Sequence, residues 1–154
     1  GNSWRLVSLV IFVVASATDL LDGQLARSRG LVTDFGKLAD PLADKALTGA
    51  ALITLSALGE LGWWVTALIL FRELGVTALR FWVIKAGVIA ASKGGKLKTV
   101  LQIIAICLYV LPASLAPPGY VRDIAMALAV VVTLVTGADY VVRAVRLHRA
   151  SPAT

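Results

Sequence analysis

Residues 19–45 read DLLDGQLARSRGLVTDFGKLADPLADK, and they set five aspartates between two apolar runs, SLVIFVVASA (8–17) and ALTGAALITLSAL (46–58). The apolar runs predict two helices. The turn between them must lie in SRGLVT, where Gly30 breaks the first helix and Thr33 offers an N-cap for the second. A turn this short makes the helices antiparallel neighbours. Asp19 and Asp22 are three apart and share a face, with Ala26 one turn on. Gly36, Asp40 and Asp44 are spaced by four and form one stripe. Four carboxylates can therefore converge, with Gly23, Ala26 and Gly36 leaving room beside them.

The rest of the chain is suited to lipid. Its 154 residues are 58% hydrophobic, and its mean hydropathy is positive. Further apolar runs are WWVTALILF (63–71), TVLQIIAICLYVL (99–111) and AMALAVVVTLV (125–135). A membrane span takes about 20 mostly apolar residues, and lipid forces the backbone to satisfy itself. The expectation is all-α: a polytopic transmembrane bundle in one integral membrane domain, 1–154. Helices are expected at 3–29, 33–58, 61–86, 96–115 and 119–147. LGELG (58–62) and the basic, glycine-rich ASKGGK (91–96) mark turns, and LAPPGY (115–120) ends the fourth helix because proline lacks a donor.

Charge orients the bundle. Arg27, Arg29, Lys37, Lys45, Lys85, Lys93, Lys96, Lys98, Arg143, Arg146 and Arg149 fall towards one side, and only Arg5 and Arg122 near the other. The basic side is predicted to be cytoplasmic, with the acidic stretch opening there. The net charge of +6 does not indicate nucleic acid, because no aromatic platform interleaves the basic residues. Anionic lipids, a phosphorylated substrate and orientation account for it. The chain begins almost inside a span, so a preceding helix is expected to be missing. Cys107, the only cysteine, is expected as a buried thiol and allows no intrachain disulfide.

Four carboxylates this close cannot all stay ionised unaided: some protonate, or cations arrive. Hard oxygen donors suit Mg²⁺ or Mn²⁺, and two divalent ions balance four acids. Such a pair suits in-line phosphoryl chemistry. The plainer reading, solvated helix ends paired with Arg27, Arg29, Lys37 and Lys45, does not explain four acids on matched faces. Asp34, off the stripe, reads as a capping residue. Pro41 is expected to kink its helix beside Asp40.

Residues 19–44 fill every fixed position of D-x2-D-G-x2-A-R-x8-G-x3-D-x3-D: Asp19, Asp22, Gly23, Ala26, Arg27, Gly36, Asp40 and Asp44. In this the chain resembles the CDP-alcohol phosphotransferase family. VTDFGKLADPLADK (32–45), FRELGVTALR (71–80) and GGKLKTVLQ (94–102) are similar to members that use glycerol phosphate. The resemblance covers roughly 4–102. It implies six transmembrane helices, the first absent here, and a homodimer by analogy. It implies that CDP-diacylglycerol enters from the bilayer, with its diphosphate on two divalent cations held by Asp19, Asp22, Asp40 and Asp44. Gly23, Ala26 and Gly36 would line the nucleotide site, and Arg27 would meet the diphosphate. Asp44 would also be the general base for sn-glycerol 3-phosphate, and CMP would leave.

A phosphorylated acceptor needs cations. Arg72, Arg80, Lys96 and Lys98 are predicted to hold it, with Glu73 orienting an arginine. A buried Arg72–Glu73 pair, or lysines that only set orientation, would be the structural alternative. Lys45 either serves the acceptor or balances the acids. Trp63 and Trp64 read as an interfacial belt, Asp139 and Arg143 as a one-turn pair, and His148 as an exposed interfacial residue without a partner. Rival functions are the same chemistry on inositol phosphate, phosphatidylglycerol or an amino alcohol, a cation carrier, and a non-catalytic scaffold.

Overall fold

The structure is a computed structural model. It describes the backbone of residues 1–30, 34–83 and 93–150, and the side chains of 1–19, 21, 25, 28–30, 45–83 and 96–150. Among the described residues the chain is all-helical: α1 Asn2–Ser28, α2 Asp34–Ala57, α3 Trp63–Val83, α4 Lys93–Val110 and α5 Gly119–Ala150. The predicted elements are all present, within a few residues at most ends. The two ends of α4 differ.

The glycine-rich segment expected as a loop is helical from Lys93. First-turn N–H groups have no intrahelical acceptor in any case, so α4 reaches back through Gly94 and Gly95. At its other end α4 stops at Val110, not at 115. Pro112 is the reason: it has no N–H to donate and disfavours a helical residue before it. The chain then turns, with Leu115 N–H donating to the Pro112 carbonyl at 2.9 Å.

The α2–α3 turn shows sequence chemistry acting locally. Gly59 takes φ +74°, a left-handed conformation that a side chain disfavours. Glu60 N–H bonds the Leu55 carbonyl and Gly59 N–H the Ser56 carbonyl, both at 3.0 Å. That pairing is a Schellman ending, which satisfies two carbonyls the helix would otherwise leave bare. Gly30, at φ +65°, follows α1 in the same way.

Contacts at the helix ends establish the topology. Arg5, early in α1, ion-pairs with Glu60 in the α2–α3 turn and reaches the Tyr109 carbonyl late in α4 at 3.5 Å. Tyr109 OH donates to Asp123, early in α5, at 2.7 Å, and Arg122 lies over the Tyr109 ring. At the opposite end Trp82, late in α3, stacks on His148, late in α5, with centroids 4.3 Å apart. The helices therefore run alternately up and down. His148, expected without a partner, has one.

The α4–α5 pairing is the most extensive, followed by α3–α5, and α2 touches α1, α3 and α4. Ala105 and Ala129 are fully buried, which lets α4 and α5 approach closely. Ile69, Ile106 and Leu52 fill the centre. Cys107 is only half-buried, packed against the rim of this core, because the core-facing positions on α4 are Ala105, Ile106 and Tyr109. Among the described residues one helix, α5, is long and apolar enough to cross a membrane by length and composition. Its 32 residues span about 48 Å.

Candidate active site

The acidic motif lies at the end of the bundle where α1 finishes and α2 begins. Asp19, Asp22, Gly23, Ala26 and Arg27 lie in the last turns of α1, and Gly36, Asp40 and Asp44 in the first turns of α2. Both helices are unbroken through these positions, α2 running on through Pro41, and the two pack against each other. The three- and four-residue intervals thus keep their helical meaning. Asp19 is half-buried. The side chains of Asp22, Gly23, Ala26, Arg27, Gly36, Asp40 and Asp44 lie outside the described residues, as do those of Asp34 and Lys37, and Thr33 altogether. Among the described residues no three metal-ligating side chains meet, and Asp19 is the only motif aspartate among them.

Beside the motif, four helices contribute to one polar cluster. Lys45, next in sequence to Asp44, donates to Thr77 Oγ1 on α3. Thr77 in turn donates to the Glu73 carbonyl at 2.8 Å. The Glu73 carboxylate is buried, and its Oε1 receives both Arg72 Nη1, at 3.0 Å, and the Lys98 ammonium from α4. Arg72 extends to α5: Nε donates to the Thr133 carbonyl at 3.0 Å and Nη2 to Thr136 Oγ1 at 3.1 Å. Gln102 Nε2 completes the set on Thr133 Oγ1 at 2.8 Å. Lys45, Thr48, Glu73, Lys98, Thr99 and Gln102 supply the polar lining of a cleft here. A buried carboxylate is tolerated only when paired and hydrogen-bonded, and two cations meet that demand for Glu73.

Of the cations expected at a phosphate site, the structure brings Arg72 and Lys98 together on Glu73. Arg80 is exposed, its guanidinium 5.7 Å from the Tyr140 ring centroid. Lys96 is exposed, two residues from Lys98 and so on another face of α4. Glu73 does orient an arginine, and it holds a lysine as well. Gln102, Thr133, Thr136 and Gly137 join the cluster without any expectation from the sequence. Only the small and hydroxylated spacing of Thr133, Thr136 and Gly137 inside an apolar helix hinted at a polar contact. Asp139 and Arg143 pair as expected, at 3.0 Å and half exposed.

Residues 1–135 match the family model described as CDP-alcohol phosphatidyltransferase. The chain belongs to that family. A probable phosphatidylglycerophosphate synthase of Mycobacterium tuberculosis is 56% identical over 142 residues, 92% of this chain and 68% of the relative. The CDP-diacylglycerol–glycerol-3-phosphate 3-phosphatidyltransferase of Bacillus subtilis is 43% identical over 140 residues, 88% of this chain and 72% of its own. The protein of that name from Rickettsia bellii is 37% identical over 140 residues, 88% of this chain and 77% of its own. The chain is thus an enzyme of the CDP-alcohol phosphatidyltransferase type. The matched region holds the acidic motif and the Glu73 cluster up to Thr133, and Thr136 and Gly137 lie just beyond it.

Proposed function

We propose that this CDP-alcohol phosphatidyltransferase moves the phosphatidyl group of CDP-diacylglycerol to sn-glycerol 3-phosphate, giving phosphatidylglycerol phosphate and CMP. The observation that carries the choice of acceptor is the Glu73 cluster. Lys45, Arg72 and Lys98 bring cations from three helices together around Glu73 and Thr77, beside the acidic motif. A phosphate monoester carries about two negative charges at neutral pH, and a cluster of cations suits it. An amino alcohol would be repelled. The names of the relatives from Bacillus subtilis and Rickettsia bellii agree with this acceptor.

The donor set of the motif is all hard oxygen on two packed helices, which fits Mg²⁺ or Mn²⁺. Asp19, Asp22, Asp40 and Asp44 would hold two such ions, which when bound neutralise charge on the diphosphate and the departing CMP. Arg27 would meet the diphosphate, and Gly23, Ala26 and Gly36 would leave space for the nucleotide. Asp44 would take the proton of the acceptor's 1-hydroxyl. That oxygen attacks the lipid-bearing β-phosphorus, and the bond from it to the bridging oxygen breaks, the electron pair leaving with CMP. Lys98 and Lys45 would hold the acceptor's own phosphate away from the reacting one, so that the hydroxyl points at the β-phosphorus.

A multi-span arrangement goes with this reading. Val10, Ile11 and Val14 on α1, Phe71 and Leu74 on α3, and Val131 and Val135 on α5 are all exposed. So much outward apolar surface suits lipid on several sides, and a lipid substrate has to enter sideways. The basic end, with the motif, would face the cytoplasm across the cytoplasmic membrane. Trp63 and Trp64, both exposed at the start of α3, would lie at the other interface.

The test is CMP release by the full chain in nanodiscs containing CDP-diacylglycerol, with each acceptor supplied in turn. Glycerol 3-phosphate should be the best. Preference for inositol phosphate would overturn the acceptor, and ion flux through proteoliposomes without lipid product would overturn the enzyme reading.

A further inference from the structure

We propose that Gly137 on α5 is a positioning residue for the acceptor site, acting through Arg72. The proposal rests on the reading of the Glu73 cluster as the place where the acceptor's phosphate binds. Gly137 is buried in the middle of a helix, where glycine weakens the backbone but lets a neighbouring group approach closely. The approaching group is the stem of Arg72. A Cβ on residue 137 would lie 2.8 Å from Arg72 Nε, 3.1 Å from Cγ and 3.5 Å from Cδ. The first distance is far inside contact range.

The stem has nowhere to retreat while its head is held. Nε is committed to the Thr133 carbonyl, Nη2 to Thr136 and Nη1 to Glu73. These acceptors lie on two different helices, so a sideways shift of the stem breaks at least one bond. Glu73 then loses one of the two cations that hold its Oε1, and Lys98, which shares that oxygen, moves with it. Arg72 is therefore the fixed cation, clamped between α3 and α5. Lys98 is the cation presented to the ligand. Gly137 is what allows the clamp to close.

The experiment is steady-state kinetics of the full chain in nanodiscs for Gly137→Ala, Arg72→Ala, the double variant and Lys98→Ala. Gly137→Ala should raise KM for glycerol 3-phosphate about tenfold and leave KM for CDP-diacylglycerol within about twofold. In the Arg72→Ala background the extra methyl has no guanidinium to displace, so it should add nothing. Multiplying effects in the double variant, or equal rises in both KM values, would overturn the proposal, because general loosening of the bundle behaves that way. If Gly137→Ala does not fold, Thr136→Val replaces it. That variant keeps the volume, removes one acceptor of Arg72, and should raise the acceptor KM about threefold. An unchanged value would overturn the proposal. Should Lys98→Ala and Arg72→Ala both leave the acceptor KM unchanged, the phosphate reading fails. Should they raise it while Gly137→Ala does not, only the role of Gly137 fails.

Discussion

Lys45 on α2 donates its ammonium to the hydroxyl of Thr77 on α3, and so ties the residue next to Asp44 to the helix that carries Glu73. The cation cluster thereby begins one residue in sequence from the acidic motif. The contact also bears on whether Lys45 serves the acceptor or balances the acids, since it leans towards α3. Lys45→Met should then raise KM for glycerol 3-phosphate by about tenfold, with KM for CDP-diacylglycerol little changed. The opposite split would assign Lys45 to the acids.

On the proposed mechanism, Asp44→Asn keeps size and hydrogen-bonding capacity but removes the base and one metal ligand. Turnover should fall by at least about a thousandfold, with the melting temperature in detergent retained. Chelation with EDTA should abolish activity, and Mg²⁺ or Mn²⁺ should restore it. A variant within tenfold of the parent rate would remove Asp44 from the mechanism.

Glu73→Ala would leave Arg72 and Lys98 buried without their shared anion. Breaking a buried pair in this way costs roughly 3 kcal/mol. A drop in thermal stability is expected together with loss of acceptor binding. Equal stability of Glu73→Ala and parent in a thermal-shift assay would show that the cluster is solvated and its charges are not interdependent.

Gly59→Ala places a side chain at φ +74° and should destabilise the bundle by about 1 kcal/mol. Gly59→Asn should cost less, because asparagine tolerates the left-handed region. Kinetic constants should not move, since the turn is at the end of the bundle away from the acidic motif. Alanine and asparagine variants of equal stability would argue against the Schellman ending as the source of the effect.

Much of the fold was legible in the chain because its signals are local. Apolar runs located every helix, and Gly30 and Gly59 marked turns that the backbone does take. The fourth helix ends before the expected residue 115, because Pro112 alone suffices to stop it and Pro117 and Pro118 lie beyond the turn that follows. The aspartate spacing was readable for the same reason, since three- and four-residue intervals have one meaning on a helix. The partner of His148 is not legible in the chain, because Trp82 lies on a different helix 66 positions away.

The amino-acid order by itself determined the helices, their turns and the register of the acids, because each follows from interactions among residues a few positions apart. What only the tertiary structure decided is which polar groups meet around Glu73 and Arg72. Lys98 meets Glu73 across 25 positions, Lys45 meets Thr77 across 32, and Arg72 meets Thr136 across 64. No periodicity encodes such pairs. They are selected when helices close on one another, because a carboxylate removed from water must find whichever cations the packing brings within reach.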